Sequence, residues 1–269
     1  MRTFRLFRYK DASYRISLSG PGKKFSEEPD SKRIFRLLTD NIIAVRTDIE
    51  NYIRSQPEFL TSLTPVRLTI EAPYAVLLMA AASELTGLGP MAAVAGTIAQ
   101  CAAKLSAEVA LSSGFNEIII ENGGDIYISL HGDAKLKHES APITAGIFSG
   151  LDSAFSNLAL KIPASDLPVS ICSSSGRMGH SLSMGDCDLS TVISKNAALA
   201  DCAATLGGNL VKTEADLGPS AERIAAIEGV SGVILIKNRR IAMAGELPQL
   251  IRHIDTAGLD KITKTVRFN

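Results

Sequence analysis

Between Val169 and Leu210 the chain reads VSICSSSGRMGHSLSMGDCDLSTVISKNAALADCAATLGGNL, and this stretch restricts the architecture more than any other. An apolar strand-like run enters a small turn, Ser173, Ser174, Ser175 and Gly176, with Arg177 and His180 just beyond. Successive backbone N–H groups in such a turn are free to surround an anion. A second strand-like run, Leu189 to Ser194, is followed by an Ala-rich helical segment in which Asp201 and Thr205 stand four residues apart. At that spacing both side-chain oxygens lie on one helical face, one turn above the other. The fold must therefore hold a sheet whose strand ends and a helix face can share one cleft.

Composition sets the outer bounds. With 269 residues, 46% hydrophobic and 21% charged, the chain has the make-up of a globular protein with a large core. One domain over 1–269, or two intimately packed lobes, is expected. Lys plus Arg equals Asp plus Glu at 28 each, which gives no reason to expect nucleic acid or an anionic membrane as partner. The first 24 residues carry seven Lys/Arg against the single Asp11, but the charges alternate with Phe4, Leu6, Tyr9, Ile16 and Leu18. A strand with one solvated face accounts for them better than a binding arm.

Cys101, Cys172, Cys187 and Cys202 are scattered, without CxxC or zinc-finger spacing. Free thiols are expected, and with MRTFRLFRYK lacking an apolar signal core the expectation is a cytoplasmic protein. Ala72 to Ala82 is too short to span a bilayer and reads as a core helix.

In chain order, Thr3 to Ser19 reads as a strand pair ending at the turn Gly20, Pro21, Gly22. Asp30 can cap a long helix with Ile34, Leu37, Leu38, Ile42, Val45, Ile49 and Ile53 on one stripe, stopping before Gln56-Pro57. Val66 to Ile70 reads as a strand. Pro73 opens a helical region to about Ala110, broken at Gly87-Leu88-Gly89-Pro90, so that a second helix starts at Pro90 or Met91. Its first two turns are unusual in their small side chains, Ala92, Ala93, Ala95 and Gly96, which permit close approach by a ligand or by another backbone; tight helix packing is the simpler account.

Glu117 to Ile120 and Ile126 to Leu130, joined through Asn122, Gly123 and Gly124, form a hairpin pattern with Glu121 and Asp125 beside the glycines. Ile143 to Phe148, Leu158 to Ile162 and Val169 to Cys172 read as strands of an antiparallel sheet. Ser220 to Glu228 reads as a helix, and Val233 to Ile236 with Arg240 to Ala244 as a last hairpin. Strands grouped together, with helices between the groups, define an α+β protein of mainly antiparallel sheets packed with helices. A Ser nucleophile is disfavoured because no GxSxG occurs.

The order GPMAAVAG, ENGGDIYIS, strands, SSSG followed by His180, a strand, and ADCAAT resembles the ApbE superfamily of FAD-dependent flavin transferases, over roughly residues 85–215. It is more closely similar to a family placed beside that superfamily, in which GPMAAVAG and ENGGD recur. The resemblance implies an ApbE-like fold. It also implies Mg²⁺ held by Asp201, Thr205 and a backbone carbonyl at about Ala92, and hard oxygen ligands suit that ion. By the same resemblance Asn122, Gly123, Gly124, Asp125, Ser174, Ser175, Gly176, Arg177 and His180 line FAD. The chain departs from the family at two points: Ala95 stands where the family has a lysine before Gly96, and His180 is followed by Ser-Leu-Ser. Arg177 is then the candidate cation for the phosphates, since guanidinium binds phosphate oxygens in bidentate fashion.

Two function classes follow. One is an Mg²⁺-dependent enzyme that transfers the FMN part of FAD to a protein acceptor or hydrolyses it; the other is a non-catalytic flavin or small-molecule binding protein on the same scaffold.

Overall fold

The computed structural model describes residues 2–26, 28–132, 142–147, 155, 157–175 and 185–252. It is α+β. The twelve strands are β1 (Phe4–Tyr9), β2 (Ala12–Gly20), β3 (Lys23–Lys24), β4 (Glu117–Asn122), β5 (Asp125–Leu130), β6 (Ile143–Ile147), β7 (Leu158–Ile162), β8 (Val169–Ser174), β9 (Leu189–Ser194), β10 (Val230–Lys237), β11 (Arg240–Gly245) and β12 (Gln249–Arg252). Helices are α1 (Pro29–Ser55), α2 (Glu58–Thr61), α3 (Tyr74–Thr86), α4 (Val94–Ser112), α5 (Ala197–Leu210) and α6 (Leu217–Ala225). No single helix among the described residues is long and apolar enough to cross a membrane.

The central sheet runs β1-β2-β4-β5-β8-β9-β10-β11, with β3 paired to β2, and every pairing in it is antiparallel. The run Ile118-Ile119-Ile120 in β4 shows why it is buried on both faces. Ile118 and Ile120 join Tyr14, Ile16, Leu18 and Tyr127 against α1, α3, α4 and α5, whereas Ile119 joins Ile128, Ile171 and Ile193 against the other layer. That layer is a second sheet, β12-β7-β6. Period-two alternation thus assigns even positions of β4 to the helices and the odd one to the small sheet.

The stripe on α1 holds as read: Ile34, Leu38, Ile42, Val45 and Ile49 are buried. Asp30 does not cap it. Pro29 occupies the first turn, Glu28 is the capping position, and no side chain bonds the free amides; proline at that point already lacks the N–H that a cap would satisfy. Val66 to Ile70 is not a strand. Its backbone is satisfied by one side chain instead: Gln56 Nε2 donates to the Arg67 carbonyl at 2.8 Å, and Gln56 Oε1 accepts from the Thr69 amide at 3.3 Å. The second helix begins as a 3₁₀ turn, Pro90–Ala93, and becomes α-helical only at Val94. The strands at Ile143 and Leu158 leave the sheet that contains β8 and form the small sheet with β12, an element the sequence reading did not anticipate.

The N-terminal basic residues are built into the sheet. Arg2 Nε and Nη2 donate to both carboxylate oxygens of the buried Glu117 at 2.6 and 2.7 Å, and Ser19 Oγ donates to the same carboxylate at 2.8 Å. Removing one partner of such a pair strands a charge away from water. Arg2→Ala is expected to lower stability by about 2–3 kcal/mol in chemical denaturation, and Arg2→Ala/Glu117→Gln to recover most of it.

Candidate functional site

Helix α5 begins at Asn196, whose Oδ1 accepts from the Ala198 amide at 3.0 Å and the Leu199 amide at 3.4 Å, an N-cap of the preferred chemistry. Its first amide, Ala197 N, donates to the buried Gln100 Oε1 of α4 at 2.6 Å. These two contacts fix the register of α5 against α4. Gly96 makes the approach possible: a Cβ there would lie 2.4 Å from the Ala197 carbonyl oxygen and 3.1 Å from Asp201 Cβ. The small residues at the start of α4 therefore serve backbone-to-backbone helix packing.

Asp201 and Thr205 lie on this helix as the spacing predicts, and Asp201 does not point to bulk solvent. Asp201 Oδ2 accepts from the Gly96 amide at 2.9 Å, and the Ala95 amide also bonds the carboxylate. A carboxylate from a neighbouring helix thus sits on the positive end of α4 and satisfies amides that have no partner within their own helix. Thr205, one turn on, is buried. Ala92 lies in the 3₁₀ turn three residues before Ala95, and α5 packs against that turn.

The β4–β5 hairpin brings the ENGGD residues to the same place. Gly123 and Gly124 take φ of +65° and +113°, the left-handed geometry of a tight turn. Asn122 Nδ2 donates to the Ala95 carbonyl at 3.2 Å, fastening the hairpin to the start of α4. Asp125 is 8% exposed, on the helix-facing side of β5 with Tyr127. One of its oxygens, Oδ1, has no hydrogen-bond partner. The Ser173 backbone and the Cys172 thiol lie near enough to act on the carboxylate, and the thiol donates to the Ala197 carbonyl at 3.7 Å.

Electrostatics follow from that placement. Burial is the main force pushing Asp125 well above the usual carboxylate range; the negative charges of Asp201 and Glu121 add to it, and the Cys172 and Ser173 bonds oppose it. Burial also pushes Asp201 up to about 7, against the stabilising amides of Gly96 and Ala95. Two facing carboxylates in a low-dielectric site cannot both ionise cheaply, so without a cation the pair holds a proton near neutral pH. The Cys172 thiol is raised well above its ordinary value by burial and by both carboxylates, so it remains a thiol and a hydrogen-bond donor.

Ser174 and Ser175 end β8 beside Asp125, each less than a tenth exposed, and Ser174 Oγ has no partner. Gly176, Arg177 and His180 lie outside the described residues. Asn122 and Asp201 thus both bond the start of α4, Asp125 lies close enough to Asp201 for their charges to interact, and Ala92 sits in the turn that α5 packs against; Thr205 is buried on the same helix as Asp201, and Ser174 and Ser175 are buried at and just past the end of β8. Sequence reasoning missed Cys172, Gln100 and the cap Asn196. Only Asn196, immediately before an Ala-rich run, carried a local signal. All four cysteines are free and buried, as expected.

A mainly antiparallel sheet carrying a helix layer, with an aspartate of one helix bonded to the small-residue start of another, has the architecture of an ApbE-like fold. The apo flavinyl transferase ApbE of Pseudomonas stutzeri superposes with a TM-score of 0.55 at 12% identity, covering 91% of this chain and 94% of that one. The chain belongs to the family described as AbpE bacteria, whose profile matches residues 27–231. It is also 36% identical to a UPF0280 protein of Methanococcus maripaludis over 227 residues, 83% of this chain and 87% of the relative. A UPF0280 protein of Archaeoglobus fulgidus is 34% identical over 225 residues, 82% and 87% of the two chains.

Proposed function

We propose that the protein binds a flavin dinucleotide together with Mg²⁺ at the end of the sheet described above, with Asp201, Thr205 and the Ala92 carbonyl as protein ligands of the ion. The observation that carries the reading is Asp201 of α5 bonded to the start of α4, with Thr205 one turn on in the same helix, together with the buried Asp125 oxygen that has no partner. The donor set is all hard oxygen, which suits Mg²⁺. When bound, the ion would supply Lewis-acid polarisation of the pyrophosphate. This chain's own residues do the positioning. Asp201 is held by two amides, so its free lone pairs are fixed in direction, and Asn122 locks the GGD turn to the same helix start. Gly123 and Gly124 leave the turn bare for the dinucleotide, and Ser174 and Ser175 offer hydroxyls beside it. Gly176, Arg177 and His180 complete the proposed lining, with Arg177 replacing the cation that Ala95 does not provide.

Whether FMN is transferred, released by hydrolysis, or simply bound with its parent dinucleotide separates the enzyme from the binding protein. Calorimetry with FAD, with and without Mg²⁺, is expected to show metal-dependent binding by the wild type and none by Asp201→Ala. Identical titrations for the two proteins, or no binding by the wild type, would remove the proposal. Mg²⁺-dependent appearance of FMN or AMP from FAD is expected of the enzyme alone.

A further inference from the structure

We infer that Asp125, on the sheet, is a second carboxylate ligand of the same cation, so that the ion is held between β5 and α5 rather than by α5 and the start of α4 alone. The inference rests on the metal-site reading just given and assigns Asp125 to the ion instead of to the dinucleotide.

Asp125 Oδ1 is buried and has no hydrogen-bond partner among the described residues. A buried polar atom left without a partner costs on the order of 1–3 kcal/mol, and more for a charged group. The described groups acting most strongly on Asp125 are Asp201, Cys172, the Ser173 amide and Glu121, none of them cationic. Glu121 is already engaged by Arg15 at 2.9 Å. A divalent cation between Asp125 Oδ1 and Asp201 gives the unpartnered oxygen a ligand and brings the two carboxylates and the ion to zero net charge. The Cys172 thiol nearby donates to the Ala197 carbonyl at 3.7 Å. With oxygen the only donor element, the site favours Mg²⁺ or Mn²⁺ over Zn²⁺.

Asp125→Asn tests this. The amide keeps the shape of the carboxylate and removes its charge. Mn²⁺ binding followed by electron paramagnetic resonance, with and without FAD, is expected to weaken at least about tenfold, while the metal-free variant melts no lower than the wild type. Undiminished Mn²⁺ affinity in Asp125→Asn, alongside its loss in Asp201→Ala, would overturn the role of Asp125 and leave the metal site standing. No Mn²⁺ binding by the wild type under either condition would overturn both. A variant that loses Mn²⁺ and also melts several degrees lower would make Asp125 a structural residue. Infrared difference spectra of ¹³C-aspartate-labelled wild type provide a reading that needs no variant. Two carboxylate bands are expected to shift on adding Mg²⁺; a single shifted band would contradict the inference.

Discussion

Metal-free protein is expected to lose melting temperature as the pH is raised from about 5 to about 8, by on the order of 5 °C. The sign follows from where the protons sit. Asp125 is raised by burial and by Asp201, and burial raises Asp201 to about 7, so between the ordinary carboxylate range and about 7 the folded chain binds more protons than the unfolded one. Each step upward in pH then favours the unfolded chain, and the stabilisation present in acid is gone above about 7. Among the described residues, the groups that act on or respond to the pair are Glu121, the Cys172 and Cys202 thiols and the backbones of Ala95, Gly96 and Ser173. Cys172 holds its proton throughout this window. Glu50 and Asp216, lowered by their hydrogen-bond partners, work in the opposite direction but only in acid, below the window. Differential scanning fluorimetry across pH, with Asp125→Asn as the control expected to flatten the curve, checks it. A wild-type curve that rises between about 5 and about 8 would mean that the two carboxylates do not share a proton.

Gly96→Ala is expected to destabilise by about 3 kcal/mol or more, although alanine is the better helix former by roughly 1 kcal/mol. The added Cβ meets the carbonyl oxygen of Ala197, a backbone atom of a buried helix that has no rotamer to change. Helices α4 and α5 must separate, and the Gly96 amide then draws away from Asp201. Gly218→Ala, in α6 with nothing within 4 Å of the new methyl, is the matched control and should be neutral or slightly stabilising. Urea denaturation of the two variants side by side measures the difference. Equal midpoints would mean that the α4–α5 contact yields without cost.

What was legible in the sequence was local. The Gly123-Gly124 turn announced its hairpin because only glycine takes both φ values without strain, and the α1 stripe announced its buried face by period alone. The Asp201–Thr205 pair could be placed on one helical face from spacing. Its meaning could not, because the partner carboxylate comes from β5, and which strand end lies under α5 is set by sheet register and helix crossing. Val66 to Ile70 misled for a related reason. An extended alternating run needs a strand edge to pair with, and here a glutamine side chain took that role. The separation of β6 and β7 into a second sheet was equally out of reach, since their alternation fits either sheet.

The open ends of the central sheet have a consequence for how the protein behaves in concentrated solution. Among the described residues β1 and β11 are its terminal strands, each with unpaired backbone groups along one side, and Leu6 and Met243 are half or more exposed on them. A terminal strand of this kind is a template for strand addition by another copy, and long cationic side chains are a common deterrent. Arg8 on β1 and Arg240 on β11, both exposed, place like charge where two copies would meet, whereas Arg5 is held by the Ser26 carbonyl and Lys10 by Glu50. The basic N-terminus thus reads as protection against aggregation, and its neutralisation would be felt first in solubility.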